Sequence, residues 1–147
     1  MVARESESSP SLRTELGQLS LVGCGAIPGA LLRWRLELFW AGGGSELPVW
    51  LTPLAVNLLG SFLLGFVTSG RLPRPRLMLV VGIGFCGSLT TFSGWILALA
   101  RLLEGEGPGP ALLLVVLSLC GGVALAAVGA RLGGAVSDHR HRLRLRR

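Results

Sequence analysis

Charged residues are scarce in this chain, and tyrosine is absent. Of its 147 residues, 15% are charged and 50% are hydrophobic. Four runs of 17 to 24 residues contain no charge at all: residues 16–32, 47–70, 77–100 and 107–130. Each run is long enough for one helix to cross a hydrocarbon core of roughly 30 Å. Together with a mean hydropathy of +0.62, these runs exclude an ordinary soluble domain and predict an all-α membrane protein with four transmembrane helices.

The side chains on which most enzymes and metalloproteins depend are sparse as well. Cys24, Cys86 and Cys120 lie inside apolar runs, and their odd number and spacing favour neither a disulfide framework nor a metal site. No nucleophile is paired with a base, so we predict that the protein is not an enzyme. The four runs also lack Asp and Glu. Their absence disfavours a proton-coupled cation transporter, because such transporters use a carboxylate inside the membrane.

Arginine supplies all fourteen basic residues, and its distribution predicts the orientation of the chain. With four crossings, both termini and the loop between the second and third runs share one side of the membrane. Eleven arginines lie on that side, and the opposite side carries three, Arg33, Arg35 and Arg101. Cytoplasmic segments carry the excess of basic residues in membrane proteins. We therefore expect both termini in the cytoplasm.

Composition divides the chain into three segments. Residues 1–15 are rich in Ser and Glu and are expected to form a mobile tail or a short interfacial helix. We expect residues 16–134 to form a four-span transmembrane domain and residues 135–147 to form a basic cytoplasmic tail. A basic tail directly after a span is typical of a topology anchor that also attracts anionic lipid. We expect no nucleic-acid partner, since no aromatic platform or folded binding module accompanies these arginines.

Glycine is abundant, with 22 residues, and much of it recurs at helix-packing spacing. Gly25 and Gly29 in the first run, and Gly60 and Gly65 in the second, allow close approach between helix backbones. Residues 82–87 match the dinucleotide-binding pattern G-x-G-x-x-G, but they lie within one apolar run and lack a surrounding βαβ unit. The glycines therefore predict a compact bundle and an oligomer, and no nucleotide site.

Uncharged hydrogen-bond donors that we single out as candidates for binding an ion lie inside three of the four runs. They are Asn57 and Ser61, then Ser88, Thr90, Thr91, Ser93 and Trp95, and finally Ser118. Asn is costly in lipid without a partner, and the ring of Phe92 presents a positive edge. Donors without carboxylates favour an anion, and weak donors in series suit rapid conduction. For the isolated hydroxyls of Ser20 and Ser69 we expect a local bond back to the same helix.

Residues 84–93, Gly-Phe-Cys-Gly-Ser-Leu-Thr-Thr-Phe-Ser, resemble the signature of the CrcB/Fluc fluoride channels. Three further segments resemble that family in order: residues 25–33 its first helix, residues 57–62 its second, and residues 118–122 its fourth. The resemblance implies a channel of the bacterial plasma membrane that exports cytoplasmic fluoride passively and so lowers its toxicity. It also implies a broken third helix and an antiparallel dimer of four-helix subunits.

Site residues follow by position from the same resemblance and from the donor pattern. We expect the fluoride pore to be lined by Asn57, Thr91, Phe92, Ser93, Trp95 and Ser118. The resemblance implies that backbone carbonyls of Gly87 and Thr90 hold a structural sodium ion on the dimer axis. It places Arg33 near a vestibule, although an interfacial anchor explains that residue equally well.

Three positions depart from the family's pattern. This chain has Trp95 where the family usually has a second Phe, Ile96 where a Ser commonly stands, and Leu114 where a Tyr often lies. The resemblance implies two narrow pores in the dimer, and these departures are expected to alter or close one of them. Because the arginines favour one orientation of this chain in the membrane, we also predict that it pairs with a sister subunit whose arginine bias is opposite.

Two alternative functions stay open. The chain could be a non-conducting partner subunit of a heterodimeric fluoride channel. A small multidrug-type exporter is less favoured, because it would need a membrane-embedded Glu in the first span, and this span has none.

Overall fold

A computed structural model describes residues 11–42, 48–69 and 75–145. The first ten residues of the expected tail, residues 43–47 of the first loop, residues 70–74 of the proline-containing turn and the last two residues lie outside these described ranges. Within the described ranges the chain is helical and contains no strand.

Five helices make up the described fold. Three of them are single spans: α1, Leu12–Gly42; α2, Leu51–Thr68; and α5, Pro108–Leu145. The third span contains two, α3 and α4. α3 is one continuous helix formed by three consecutive segments, Pro75–Leu77, Met78–Cys86 and Gly87–Leu89. α4 is Phe92–Gly105.

Four stretches are long and apolar enough to cross a membrane. They are Leu12–Trp40, Leu51–Thr68, Pro75–Gly105 and Pro108–His139. Many large side chains on them, including Ile27 and Val123, are exposed on the isolated subunit, as a surface facing lipid or a partner requires. The four-span all-α class predicted from the sequence is confirmed.

The outer helices are longer than the apolar runs. α1 begins at Leu12, so its first turn includes residues assigned to the tail from composition, and Glu15 in that turn suits the positive end of the helix dipole. α5 continues to Leu145 and therefore passes through most of the basic segment. At about 1.5 Å per residue, its 38 residues form a helix of about 57 Å, longer than a bilayer core is thick.

Glycines bring two pairs of helices into close contact: α1 packs along α3, and α2 packs along α5. A Cβ at Gly25 would collide with the backbone carbonyl of Val80, and a Cβ at Gly65 would collide with that of Ala126. The packing role predicted for these two glycines is confirmed. The middle of α3, Met78–Cys86, has the wide turns of a π-helix, which are rare at this length, and no signal in the sequence indicated them.

A two-residue turn joins α4 to α5. The backbone N–H groups of Glu106 and Gly107 both donate to the carbonyl of Leu102, at 2.8 and 2.9 Å. Gly107 has φ +91°, the left-handed region that favours glycine at the end of a helix. Pro108 is the first residue of α5. A backbone N–H at this position has no acceptor within the helix, so proline loses no hydrogen bond there. The turn brings α4 and α5 together around a buried core that includes Leu54, Ala98 and Leu114.

Candidate functional site

The helix of the third span stops at Leu89 and resumes at Phe92. Thr90 has φ −72° and ψ 151°, and Thr91 has φ −141° and ψ 119°, so both residues are extended. The Thr90 N–H still donates to the Cys86 carbonyl, but the N–H groups of Thr91 and Gly94 are removed from the helical hydrogen-bond ladder. Within a bilayer such groups need partners from the protein.

Asn57 on α2 supplies both partners of Thr91. Its Oδ1 accepts from the Thr91 N–H at 2.8 Å, and its Nδ2 donates to the Thr91 carbonyl oxygen at 3.1 Å. Thr91 is 8% exposed, so water does not replace these bonds. One amide side chain thereby holds the helix interruption in place, and one Nδ2–H of Asn57 is left for another acceptor.

The two threonine hydroxyls cap the two helix ends at the interruption. Thr90 Oγ1 donates to the Cys86 carbonyl at 2.9 Å, within the last turn of α3. Thr91 Oγ1 accepts from the Gly94 N–H at 3.0 Å and so caps the start of α4. It also lies 3.3 Å from the hydroxyl of Ser93. Thr91 and Ser93 therefore form a pair of adjacent hydroxyls beside the Asn57 amide.

Phe92 begins α4 with its ring directed away from the subunit. The side chain is 75% exposed, and its ring stacks on that of Trp95 with centroids 5.8 Å apart and planes inclined by 29°. A phenyl ring has a positive edge and a negative face. An exposed ring at this level of the bundle can turn its edge toward an anion or a second subunit.

Trp95 connects this ring pair to α5. Its indole N–H donates to Ser118 Oγ at 2.9 Å, and the Ser118 hydroxyl donates to the Leu114 carbonyl at 2.7 Å. The Leu114 side chain, 1% exposed, belongs to the buried core. Leu114, which stands where the family often has a Tyr, is therefore a packing residue. Trp95, which stands where the family usually has a second Phe, supplies an indole hydrogen-bond donor.

Other hydroxyls in the spans are used locally. Ser20 donates to the Leu16 carbonyl and Ser69 to the Phe66 carbonyl, which confirms the local bonds expected for these two residues. Ser61 donates to the Asn57 carbonyl in the same manner. The single proton of the Ser88 hydroxyl has two close acceptors, the Gly84 carbonyl within α3 and the Ala26 carbonyl of α1, 2.9 Å from the hydroxyl oxygen, so Ser88 can link α3 to α1.

A cavity of about 530 Å³ opens at the end of the bundle where α1 ends and α2 begins. Its lining includes the hydroxyl pair Thr91 and Ser93 and three charged residues, Arg33, Glu37 and Arg101. Arg33 Nε lies 3.7 Å from Glu37 Oε1, one helical turn further on. The cavity thus carries a net positive charge beside the hydroxyl pair. The sequence singled out Arg33 for a vestibule or an anchor, and gave no sign that Glu37 and Arg101 would lie beside it.

The interruption changes the hydrogen bonding of the backbone carbonyls of Gly87 and Thr90, the two expected sodium ligands. The Thr91 N–H donates to Asn57 and the Gly94 N–H donates to Thr91 Oγ1, so the Gly87 and Thr90 carbonyls are released from their usual helical donors. Oxygen ligands of this kind suit a hard cation. Arg33 Nη1 also lies 3.5 Å from the Thr90 oxygen, and its positive charge competes for that oxygen. In the described parts of the chain, no three His, Cys, Asp or Glu side chains group together as metal ligands.

The interruption brings most of the expected pore residues into two neighbouring groups. Asn57, Thr91 and Ser93 form the first, and Phe92, Trp95 and Ser118 form the second. Both groups consist of uncharged donors and aromatic rings. Four membrane-length helices with such a polar interruption define a multi-pass membrane protein of the transport class.

Comparison with known families identifies the group within that class. The family described as CrcB-like protein, Camphor Resistance (CrcB), matches residues 20–130. This match covers well over half of the chain, and the chain belongs to the CrcB-like family.

Individual relatives cover nearly the same length. The chain is 47% identical over 127 residues to the Fluoride-specific ion channel FluC 2 of Synechococcus sp. (strain CC9605), a match that covers 86% of this chain and 89% of the relative. It is 37% identical over 123 residues to the Fluoride-specific ion channel FluC 2 of Bacillus subtilis (strain 168), covering 84% and 92%. Both relatives are named as ion channels and neither as an enzyme.

Proposed function

We propose that this chain is a subunit of a fluoride-selective channel that lets fluoride leave the cytoplasm down its gradient. The names of its relatives support this function. So does the chemistry of the spans, whose apolar runs carry no Asp or Glu. An anion inside the bundle meets N–H and O–H donors and no fixed negative charge. Such donors bind an ion well enough for it to enter and weakly enough for it to leave.

The observation that carries this proposal is the pair of hydrogen bonds between Asn57 and Thr91. These bonds hold an extended segment inside a membrane-length stretch, and the segment presents Phe92 and Ser93 directly after it. In this proposal the ion passes the Asn57 and Ser93 donors, the edge of Phe92, and then the Trp95 and Ser118 donors. No step requires a change in the protonation of a side chain.

We infer an orientation in the plasma membrane with both termini in the cytoplasm. Eleven of fourteen arginines support it. In that orientation the 530 Å³ cavity faces outward. A reporter enzyme that is active only outside the cell, fused after residue 147, should be inactive, and the same reporter inserted between residues 43 and 47 should be active. The reverse pattern overturns the orientation.

The dimer is part of the same proposal. A subunit with this arginine bias cannot form an antiparallel dimer with another copy in the same orientation, so we propose a sister subunit of opposite bias as its partner. The exposure of Phe92 supports a second subunit at this surface. Efflux from liposomes containing this chain alone should then be small, and co-reconstitution with an oppositely oriented homologue should raise it. Robust efflux from the chain alone refutes the pairing.

Sodium is proposed as the cation at the interruption. When bound, it supplies a positive charge to the released carbonyl oxygens of Gly87 and Thr90. Replacement of sodium by N-methylglucamine during purification should lower the melting temperature of the paired channel in detergent. An unchanged melting temperature contradicts the sodium site without bearing on fluoride conduction.

The central test is fluoride efflux measured with an electrode on liposomes that contain the pair. Phe92→Ile removes the aromatic edge and Asn57→Asp places a carboxylate beside the pathway, so both should abolish efflux. Phe39→Ile is the matched control, because Phe39 is an exposed phenyl on α1 that does not belong to the cavity lining. Absence of efflux in every preparation contradicts the function.

One observation favours a second candidate, the non-conducting partner subunit. The Ser118 hydroxyl accepts from Trp95 and donates to Leu114, so its proton is already engaged within the subunit. If Phe92→Ile is introduced into this chain but not into the sister subunit, and the efflux of the pair is unchanged, the sister subunit conducts and this chain serves as its scaffold.

A further inference from the structure

The cavity at the end of the bundle is far larger than a single halide ion requires. Its volume of about 530 Å³ lies within the range of roughly 300–1,000 Å³ that is typical of sites for small organic ligands. Its lining comes from the end of α1, from the start of α2 with the residues just before it, and from the part of α4 that follows the interruption. A fluoride ion on its way to the hydroxyl pair would occupy only a small part of this volume.

On α4, a hydroxyl, an apolar side chain and a cation line the cavity in that order. Ser93, Leu97 and Arg101 follow one another at intervals of four residues and all belong to the lining, so they lie along one side of the helix. At about 1.5 Å per residue, Ser93 and Arg101 are separated by about 12 Å along the helix axis. Ala98 and Pro53 add further apolar surface to the lining. The cavity therefore has a polar inner end, an apolar wall and a cationic outer end.

Arg101 supplies the charge that is not balanced within the lining. Arg33 is paired with Glu37, with Nε 3.7 Å from Oε1, and its Nη1 also lies 3.5 Å from the Thr90 oxygen. Arg101 is exposed, and no ion pair joins it to another residue in the described part of the chain. One uncompensated positive charge beside an apolar wall suits a ligand with one negative charge and an apolar body.

We propose that this cavity is a site for an amphiphilic organic monoanion, a carboxylate carried on an apolar ring system. The carboxylate pairs with the Arg101 guanidinium, whose fork of N–H donors matches two carboxylate oxygens. The ring system covers Leu97, Ala98 and Pro53 and removes their apolar surface from water. An inorganic anion gains nothing from the apolar wall, and a neutral ring compound gains nothing from the charge.

The bound ligand lies across the route from the cavity mouth to the hydroxyl pair of Thr91 and Ser93, both of which line the same cavity. It therefore blocks the approach of fluoride from this side. This effect on flux rests on the proposed channel function, whereas the binding of the ligand does not.

The test measures the binding of tritiated 2-naphthoate to the full chain in phosphatidylcholine nanodiscs, with empty nanodiscs as the blank. Unlabelled 2-naphthoate should displace the bound label. 2-Naphthamide keeps the ring and lacks the charge, and acetate keeps the charge and lacks the ring. Each should need a concentration at least about tenfold higher for the same displacement, because each makes only one of the two contacts. Equal displacement by the acid and the amide overturns the site.

Two pairs of variants locate the site. Arg101→Gln should raise the Kd for 2-naphthoate about tenfold through the loss of a charge-assisted pair, and Arg35→Gln, outside the lining, should leave it unchanged. Leu97→Asn should raise the Kd severalfold. Leu103→Asn is its matched control, because Leu103 lies on the same helix outside the lining and is 52% exposed against 51% for Leu97. Equal Kd values within either pair overturn the assignment.

Fluoride efflux from liposomes that contain the pair separates this inference from the channel function. 2-Naphthoate should inhibit efflux with half-inhibition near its Kd, and Leu97→Asn should weaken the inhibition as much as it weakens binding. Saturable binding that depends on Arg101, in preparations that never conduct, supports the site and contradicts the channel. Full efflux at a saturating concentration of 2-naphthoate overturns the blocking role.

Discussion

Asn57 and Thr91 are joined by two hydrogen bonds, so that one side-chain amide takes the place of the helical partners that the Thr91 backbone lacks. The bonds connect residues 34 positions apart on different spans. Local sequence preference alone does not hold this interruption. It depends on α2 being correctly packed beside the third span.

Asn57→Ala should destabilise the protein by about 2–4 kcal/mol, because it leaves both the N–H and the carbonyl of a buried residue without partners. Asn57→Asp keeps the acceptor for the Thr91 N–H but sets a carboxylate oxygen against the Thr91 carbonyl, and it should be worse than Ala. Unfolding in detergent followed by circular dichroism measures both. Ser61→Ala removes a bond within one helix and should change stability by less than about 0.5 kcal/mol. Equal losses of stability at positions 57 and 61 would show that the hydrogen bonds from Asn57 to Thr91 do not stabilise the interruption.

Thr91→Val keeps the shape of the side chain but removes the oxygen that accepts from the Gly94 N–H. The start of α4 should lose about 1 kcal/mol, the usual contribution of a helix N-cap. Thr91→Ser retains the oxygen and should behave as the wild type does. Hydrogen exchange of the first α4 amides reports the change directly, and similar protection in the two variants would argue against capping.

Gly25→Ala should destabilise the bundle by about 1–3 kcal/mol, because the added Cβ would collide with the backbone carbonyl of Val80 on α3. Gly17→Ala is the control on the same helix, since a Cβ there meets nothing within 4 Å. That substitution should be neutral or stabilising by up to about 1 kcal/mol. Thermal unfolding in detergent distinguishes them. A tolerated Gly25→Ala means that α1 and α3 are not in close contact.

Charge in the cavity should set how readily anions reach the hydroxyl pair. Arg101→Gln should lower fluoride flux about twofold at low salt, and Glu37→Gln should raise it by a similar factor, because each changes the local potential by one charge. The effects should shrink toward physiological ionic strength, where the Debye length is about 8 Å. Arg35→Gln and Glu104→Gln remove one positive and one negative charge from residues outside the cavity lining, and they should change fluoride flux less. Equal responses inside and outside the cavity would show that net charge alone matters.

The sequence predicted the four spans because a charge-free run of sufficient length leaves few other structures open in a membrane. It also indicated Asn57, Thr91, Ser93 and Ser118 as polar residues at membrane depth. The partner of each one could not be read from the chain. From the sequence, lipid, another hydroxyl and the backbone were all available surroundings for Asn57, and the outcome depends on how α2 is rotated against the third span.

Trp95 and Glu37 show the limit of sequence reasoning in two ways. The indole of Trp95 could be predicted to lie near the pore, but its hydrogen bond to Ser118 requires the crossing of α4 and α5, which no spacing within one helix determines. Glu37 lies outside the apolar runs and resembles any interfacial charge. It becomes part of the site because Arg101, 64 positions later, comes to line the same cavity.

The two-residue turn at Gly107 has a consequence for how the protein enters its membrane. Because only two residues link α4 and α5, we expect the two segments to insert as one helical hairpin during synthesis, so that neither reverses without the other. Any reversal of orientation during biogenesis must therefore translocate Arg101 and Arg131 in opposite directions in a single event. We therefore expect the orientations of these two helices in the membrane to be fixed together.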